Sequence, residues 1–121
     1  MTRILVIDDD RDIREILAEM LTDAGYEVVE ASSGKDGIRL YRQAPFDLVI
    51  TDLVMPDKDG LEVVMELRRD FPQVKIITLS GNPYGSSSLK TSKALGAART
   101  LGKPFTEDQL LTAVREVLES T

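Results

Sequence analysis

Five short apolar runs alternate along the chain with five stretches in which apolar residues recur at helical spacing. The runs are rich in Val, Ile and Leu and are bounded by polar or turn-forming residues, which is typical of strands. We predict strands at residues 3–7, 27–31, 47–51, 75–79 and 99–102. The last run, RTLG, is the weakest of the five.

The helix starts are marked by residues that can cap the free amides of a first turn. Asp10 is expected to be the N-cap or a first-turn residue of the first helix, and Asp59 the N-cap of the third. The second helix is expected to start after Ser33. Thr106, followed three residues later by Gln109, forms a capping box at the start of the last helix. The sequence therefore predicts these boundaries as well as the helices themselves.

Apolar side chains at spacings of three and four give the predicted helices one face for the core. The fourth helix, at about 88–95, is short and poorly apolar. The stripes comprise Ile13, Ile16, Leu17, Met20 and Leu21 in the first helix, Ile38, Leu40 and Tyr41 in the second, Leu61, Val64 and Met65 with Leu67 at the edge in the third, and Leu110, Leu111, Val114 and Leu118 in the last.

Strict alternation of strand and helix predicts a parallel sheet with helices on both faces, because parallel neighbours need right-handed helical crossovers. The expected fold is α/β, a flavodoxin-like (βα)5 doubly wound sheet with strand order 2-1-3-4-5. In such sheets ligands bind beyond the carboxyl ends of the strands, where the strand order reverses. That point lies between the first and third strands.

The amino-acid composition limits the kinds of site and partner that this chain can have. The chain has 121 residues, which predicts one domain, and it contains no Cys and no His. Disulfides, thiolate and imidazole ligands and a phosphohistidine of its own are therefore excluded, so any metal must be held by oxygen. The net charge of −6 argues against direct nucleic-acid binding. No apolar run suits a membrane span or a signal peptide, and the expected location is the cytoplasm.

Acidic residues crowd the end of the first strand, where the run ILVI leads directly into Asp8, Asp9 and Asp10. Two like charges about 4 Å apart repel by roughly 4 kcal/mol at an intermediate dielectric, so this arrangement needs a compensating interaction. Asp10 is explained as a helix cap. Asp8 and Asp9 are more than one helix start can use.

Polar residues also follow the other inner strands: Asp52 after the third, Ser80 after the fourth and Lys103 after the fifth. The predicted topology brings these side chains to one rim of the sheet together with Asp8 and Asp9. Clustered carboxylates suit a hard divalent cation, and Mg²⁺ fits best. A lysine and a hydroxyl would complete a cradle for a phosphoryl group, and a carboxylate is a competent nucleophile.

From about residue 3 to 118 the chain resembles the receiver domain of bacterial two-component response regulators. The resemblance rests on ILVIDDDRDIRE, DLVITDLVMPDKDG, IITLSG and GAARTLGKPF in this order and at these separations. It implies that Asp52 is the phosphoacceptor, which takes its phosphoryl group from a sensor histidine kinase or a phosphotransfer protein.

The resemblance also implies the roles of the residues around Asp52. Asp8 and Asp9 would form the acidic Mg²⁺ pocket, and the backbone carbonyl of Val54 would complete the metal shell. Ser80 would bind the phosphoryl group, and Lys103 would supply the cation of the site, with the Lys103–Pro104 bond cis.

The resemblance also implies how the chain passes a signal to other proteins. The chain would act as a switch rather than a turnover enzyme, with a slow autophosphatase activity at most. Phosphorylation would alter the surface around the fourth helix, fifth strand and fifth helix, which binds an unidentified downstream protein and neither nucleic acid nor membrane. Thr100 stands where receivers usually carry an aromatic residue. Residues 1–121 are expected to form a single receiver domain without an output domain in this chain.

Two other functions compete with the switch. Asp8-x-Asp10 after an apolar strand mimics the nucleophile motif of haloacid-dehalogenase-type phosphatases, but Asp12 stands where Thr or Val is expected and Asp52 is left unexplained. A pseudo-receiver, acting as a constitutive interaction module, would need a damaged pocket, and the sequence shows none.

Overall fold

The computed structural model describes residues 1–53, 55, 60–80 and 96–120. Within them a five-stranded sheet is combined with four helices, none of which is long and apolar enough to cross a membrane. The strands are β1 (Arg3–Ile7), β2 (Glu27–Ala31), β3 (Leu48–Asp52), β4 (Ile76–Ser80) and β5 (Arg99–Gly102), and the helices are α1 (Arg11–Asp23), α2 (Gly34–Gln43), α3 (Gly60–Asp70) and α4 (Glu107–Glu119).

The sheet has the predicted topology. All neighbouring strands are parallel and lie in the order β2-β1-β3-β4-β5. The order reverses between β1 and β3, so the carboxyl ends of these two strands flank the point where such folds bind ligands. The predicted α/β class, doubly wound sheet and strand order are confirmed.

The predicted caps within the described residues are confirmed. The side chain of Asp10 accepts hydrogen bonds from the backbone amides of Asp12 and Ile13. α2 starts after Ser33 as expected, and the structure adds that the Ser33 side chain caps it by accepting from the amide of Asp36. Thr106 and Gln109 form a capping box at the start of α4. The expected cap at Asp59 and the predicted fourth helix lie outside the described residues.

Two cores lie on opposite faces of the sheet. Side chains of the inner strands point alternately to the two faces, as the period of a strand requires. One core comprises Leu5, Ile7, Val49 and Ile76 with residues of α2 and α3. The other comprises Ile4, Val6, Leu48, Ile50, Ile77 and Leu79 with residues of α1 and α4.

Two details of the sequence prediction are wrong. Ile16 and Met65 are 51% and 53% exposed, although both were expected on buried stripes. The buried faces of α1 and α3 are narrower than their apolar stripes, and Val63 takes the inward position on α3. β3 and β4 also end one residue later than expected, at Asp52 and Ser80, because the strand pairing continues through these polar residues.

Candidate functional site

The carboxyl rim of the sheet gathers the predicted site residues. Asp8 directly follows β1, Asp52 ends β3, Ser80 ends β4 and Lys103 follows β5. The parallel register aligns these ends, with Asp52 opposite Leu79 and Ser80 opposite Gly102. Residues separated by up to 95 positions in the chain therefore meet at one edge.

Three carboxylates form a compact cluster at this rim. Asp8, Asp9 and Asp52 each offer an oxygen atom, and these atoms all lie within 4.8 Å of one another. Asp8 is buried, Asp52 is half-buried and Asp9 is exposed, so the cluster opens to solvent on the side of Asp9. A small cation could reach it from that side.

Asp8 is the deepest member of the cluster and is fully buried. Its Oδ1 atom accepts a hydrogen bond of 2.9 Å from the amide of Asp10, whereas its buried Oδ2 atom has no hydrogen-bond partner among the residues that the structure describes. Burial raises the pKa of the Asp8 carboxyl, and the nearby charge of Asp52 raises it further. The Asp10 amide and the Lys103 ammonium act in the opposite direction.

Lys103 places its ammonium between two of the carboxylates. Its Nζ atom lies 3.4 Å from Oδ2 of Asp52 and 3.7 Å from Oδ2 of Asp8. Its own amide donates to the carbonyl of Ser80 at 2.6 Å, and the Lys103–Pro104 bond is cis, as the resemblance implied. Among the described residues, one ammonium thus lies near two of the three clustered carboxylates, which leaves negative charge for a second cation to neutralise.

The donor set fits Mg²⁺. The cluster offers only oxygen atoms, which this hard cation prefers, and the buried Oδ2 atom of Asp8 lacks a hydrogen-bond donor. Magnesium is usually held by one or two carboxylates, with water and a phosphate completing its shell. Val54, expected to add a backbone carbonyl, lies outside the described residues.

Backbone contacts hold Asp52 in place. The amide of Leu53 donates to Leu79 O at 2.9 Å, and the hydroxyl of Thr51 donates to the carbonyl of Asp52 at 3.0 Å. A Cβ atom on Gly60 would lie only 2.2 Å from that carbonyl oxygen, so α3 can begin here only with glycine. The roles of Thr51 and Gly60 were not predicted from the sequence, although a glycine beside a polar turn can indicate a close approach of two backbone segments.

Comparisons with known proteins show the family to which this chain belongs. The family described as "Response regulator receiver domain" matches residues 4–115. The chain is 38% identical to the probable transcriptional regulator ycf27 of Guillardia theta over 98% of this chain, but this covers only 46% of the relative. The chain therefore spans about half the length of that relative.

Two further relatives are close to this chain in length. The chemotaxis protein CheY of Thermotoga maritima is 32% identical over 95% of this chain and 96% of its own. The response regulator protein TrrA of Thermotoga maritima, solved in complex with Mg(2+)-BeF, superposes with a TM-score of 0.88 at 38% identity, covering 97% of this chain and 99% of that one. The sequence match, the parallel sheet and the clustered rim residues agree, and the chain belongs to the response regulator receiver domain family.

Proposed function

We propose that this receiver domain is a phosphoryl-accepting switch in which Asp52 takes a phosphoryl group from a sensor histidine kinase or a phosphotransfer protein in a Mg²⁺-dependent reaction. One observation carries the proposal: the carboxylate of Asp52 lies in the acidic cluster and 3.4 Å from the ammonium of Lys103. A nucleophile, a cation site and a fixed positive charge thus share one rim.

The chemistry follows from these positions. An oxygen of the Asp52 carboxylate attacks phosphorus and the new O–P bond forms as the P–N bond to the donor imidazole breaks. The electron pair of that bond passes to the imidazole nitrogen, which takes up a proton from water. Mg²⁺, when bound, neutralises charge on the phosphoryl oxygens. Residues 1–121 contain no His, so the donor imidazole does not lie within this domain.

Each neighbour of Asp52 has a defined part in the proposal. Asp8 and Asp9 hold the metal with Asp52 and the carbonyl of Val54. Lys103 stabilises charge on the phosphoryl group, since its ammonium already contacts the accepting carboxylate. Ser80, which ends the neighbouring strand, donates its hydroxyl to a phosphoryl oxygen.

The output surface is proposed to lie around β5, α4 and the predicted helix at about 88–95, which is outside the described residues. Thr100, in the middle of β5, is small and half-buried, so no bulky ring at this position can swing between two environments. We therefore expect phosphorylation to act mainly through Ser80 and the segment that follows it. Hydrogen exchange with and without beryllofluoride should change more at 81–95 than at 99–101.

We further propose that residues 1–121 form one receiver domain, which acts in the cytoplasm as a switch with at most slow autophosphatase activity. Its signal passes to an unidentified protein partner rather than to nucleic acid or membrane. The phosphatase alternative is weakened by Asp10. Its Oδ1 atom accepts hydrogen bonds from the amides of Asp12 and Ile13, which engages it as a helix cap. A carboxylate used in this way is a poor second member of a catalytic pair.

Labelling with acetyl phosphate tests the proposal. The modified residue is located by mass spectrometry after borohydride reduction, with Mg²⁺ or with EDTA. We expect label on Asp52 only with Mg²⁺, and none in Asp52→Asn. The matched control is Asp47→Asn, which removes an exposed carboxylate immediately before the same strand and should label normally. Label on Asp8 or Asp10 would overturn the proposal.

A further inference from the structure

The loop between β1 and α1 is held by bonds to the residues on either side of Asp9. The amide of Asp8 donates to Ala31 O of β2 at 3.1 Å, and the amide of Asp10 donates to the Asp8 side chain at 2.9 Å. Asp9 is exposed, and within the described part of the chain its side chain makes no hydrogen bond. The direction of its carboxylate therefore depends on how firmly its neighbours are fixed.

Arg14 holds the backbone carbonyl of Asp8, which is also part of this loop. Its Nη1 atom donates to the carbonyl oxygen of Asp8 at 2.8 Å, and its Nε atom donates to the Glu30 carboxylate at 3.2 Å. The Arg14 side chain is only 16% exposed, far less than that of Arg11 on the same helix at 79%. One guanidinium thus joins α1, the loop and β2.

We propose that Arg14, held in place by Glu30, is a positioning residue for the Mg²⁺ site, an inference that rests on the proposed function. The carbonyl of Asp8 and the amide of Asp9 belong to one planar peptide group, so fixing the carbonyl oxygen also fixes the start of Asp9. The guanidinium thereby directs the Asp9 carboxylate towards Asp8 and Asp52. Groups that orient metal ligands commonly change metal affinity by about 10- to 100-fold.

Charge and geometry make opposite predictions for this residue. Arg14 is a cation beside a site that binds a cation, so removal of its charge alone would tighten Mg²⁺ binding. Loss of its hydrogen bond to Asp8 O would instead loosen the loop and weaken Mg²⁺ binding. The sign of the change in the dissociation constant therefore separates the two effects.

Titration calorimetry with MgCl₂ on Arg14→Met and Arg11→Met tests the proposal. Both variants remove one positive charge from α1 and one ion pair to a glutamate, but only Arg14 contacts the loop. We expect about a tenfold higher dissociation constant in Arg14→Met. Arg11→Met should stay within twofold of the wild type or bind slightly more tightly. At saturating Mg²⁺, labelling of Arg14→Met by acetyl phosphate should return to within about twofold of the wild-type rate.

Arg14→Lys keeps the charge but cannot donate to Asp8 O and Glu30 in the same planar geometry, so it should also weaken binding, and it decides the matter if Arg14→Met does not fold. An unchanged or lower dissociation constant in the folded Arg14 variants would overturn the inference, as would an equal rise in Arg11→Met. Wild-type protein that binds no Mg²⁺ would overturn the proposed function itself. Binding that is insensitive to Arg14 would overturn only its positioning role.

Discussion

The two rims of the sheet differ in how their charged groups are paired. At the carboxyl rim, three carboxylates form a cluster, the ammonium of Lys103 lies near two of them, and among the described residues the buried Oδ2 atom of Asp8 has no hydrogen-bond partner. At the opposite rim, Arg3 donates its amide to Asp47 at 2.8 Å and lies 4.4 Å above the ring of Phe46. The guanidinium of Arg3 also lies 3.6 Å from the Glu27 carboxylate, so these charges meet complementary groups.

Lys75 completes the matched arrangement of the opposite rim. Its Nζ atom donates to the carbonyls of Leu118 and Ser120 at 3.1 and 2.7 Å, at the end of α4 where a positive charge is favoured. The difference between the rims is instructive because both belong to the same rigid sheet. The opposite rim supports the fold, whereas the carboxyl rim holds uncompensated negative charge that suits a cation and a phosphoryl group.

The largest loss of stability is expected when an extra side-chain atom is introduced at the carboxyl rim. Gly60→Ala would place a Cβ atom 2.2 Å from the Asp52 carbonyl and 2.7 Å from Leu53 Cα, so backbone must shift. We expect a loss of about 1–3 kcal/mol in the free energy of unfolding, measured in urea, together with slower labelling of Asp52.

Gly102→Ala is the matched control for this substitution. Gly102 lies on the same rim, has no positive φ, and a Cβ atom there would meet nothing within 4 Å. It should therefore unfold and label like the wild type. Equal losses in the two variants would show that the carboxyl rim is not specifically packed around Asp52.

A smaller effect is expected from breaking the opposite rim. Lys75→Met removes the donor to two carbonyls at the end of α4 and should lower the free energy of unfolding by about 1 kcal/mol. Its Mg²⁺ affinity should match that of the wild type. Lys35→Met, which removes an exposed lysine from α2, should change neither quantity, and altered Mg²⁺ binding in Lys75→Met would argue against independent rims.

The smallest effect is expected at the end of α3, away from the site. Hydrogen bonds from Arg69 and Arg42 hold the pKa of the Asp70 carboxyl well below its usual range. A depressed folded-state pKa adds stability above the unfolded pKa of about 3.9, and this is lost as the pH falls through the folded value. Urea unfolding of Asp70→Asn should therefore show a small deficit at pH 7 that shrinks below about pH 4. A deficit independent of pH would contradict this.

Sequence patterns predicted the parts of the molecule that depend on local periodicity and strand order. Asp52, Ser80 and Lys103 could be placed on one rim because parallel strands end on the same side. The exposure of Ile16 and Met65 could not be predicted, because the spacing of apolar residues does not show how wide the buried face of a helix is. The contact between Gly60 and the Asp52 carbonyl depends on a distance in space, which spacing along the chain does not encode.

The contact between Arg14 and the Asp8 carbonyl could not be predicted from the sequence either, for a different reason. An arginine in the second turn of α1 looks like an ordinary surface residue, and its partner is a backbone atom that any residue would provide. Its burial and the tie to Glu30 become visible only when β2 is placed beside β1.

Thermal unfolding of wild type and Asp9→Ala, with EDTA or with Mg²⁺, tests most directly whether the carboxyl rim is incomplete without a cation. Mg²⁺ at 100 times its dissociation constant should stabilise the wild type by about 2.7 kcal/mol, which raises the midpoint by several degrees. Asp9→Ala should melt at the same or a higher temperature than the wild type in EDTA, because a repelling carboxylate is gone, and should lose most of the shift with Mg²⁺. A large drop in its EDTA midpoint, or a full Mg²⁺ shift, would contradict the account.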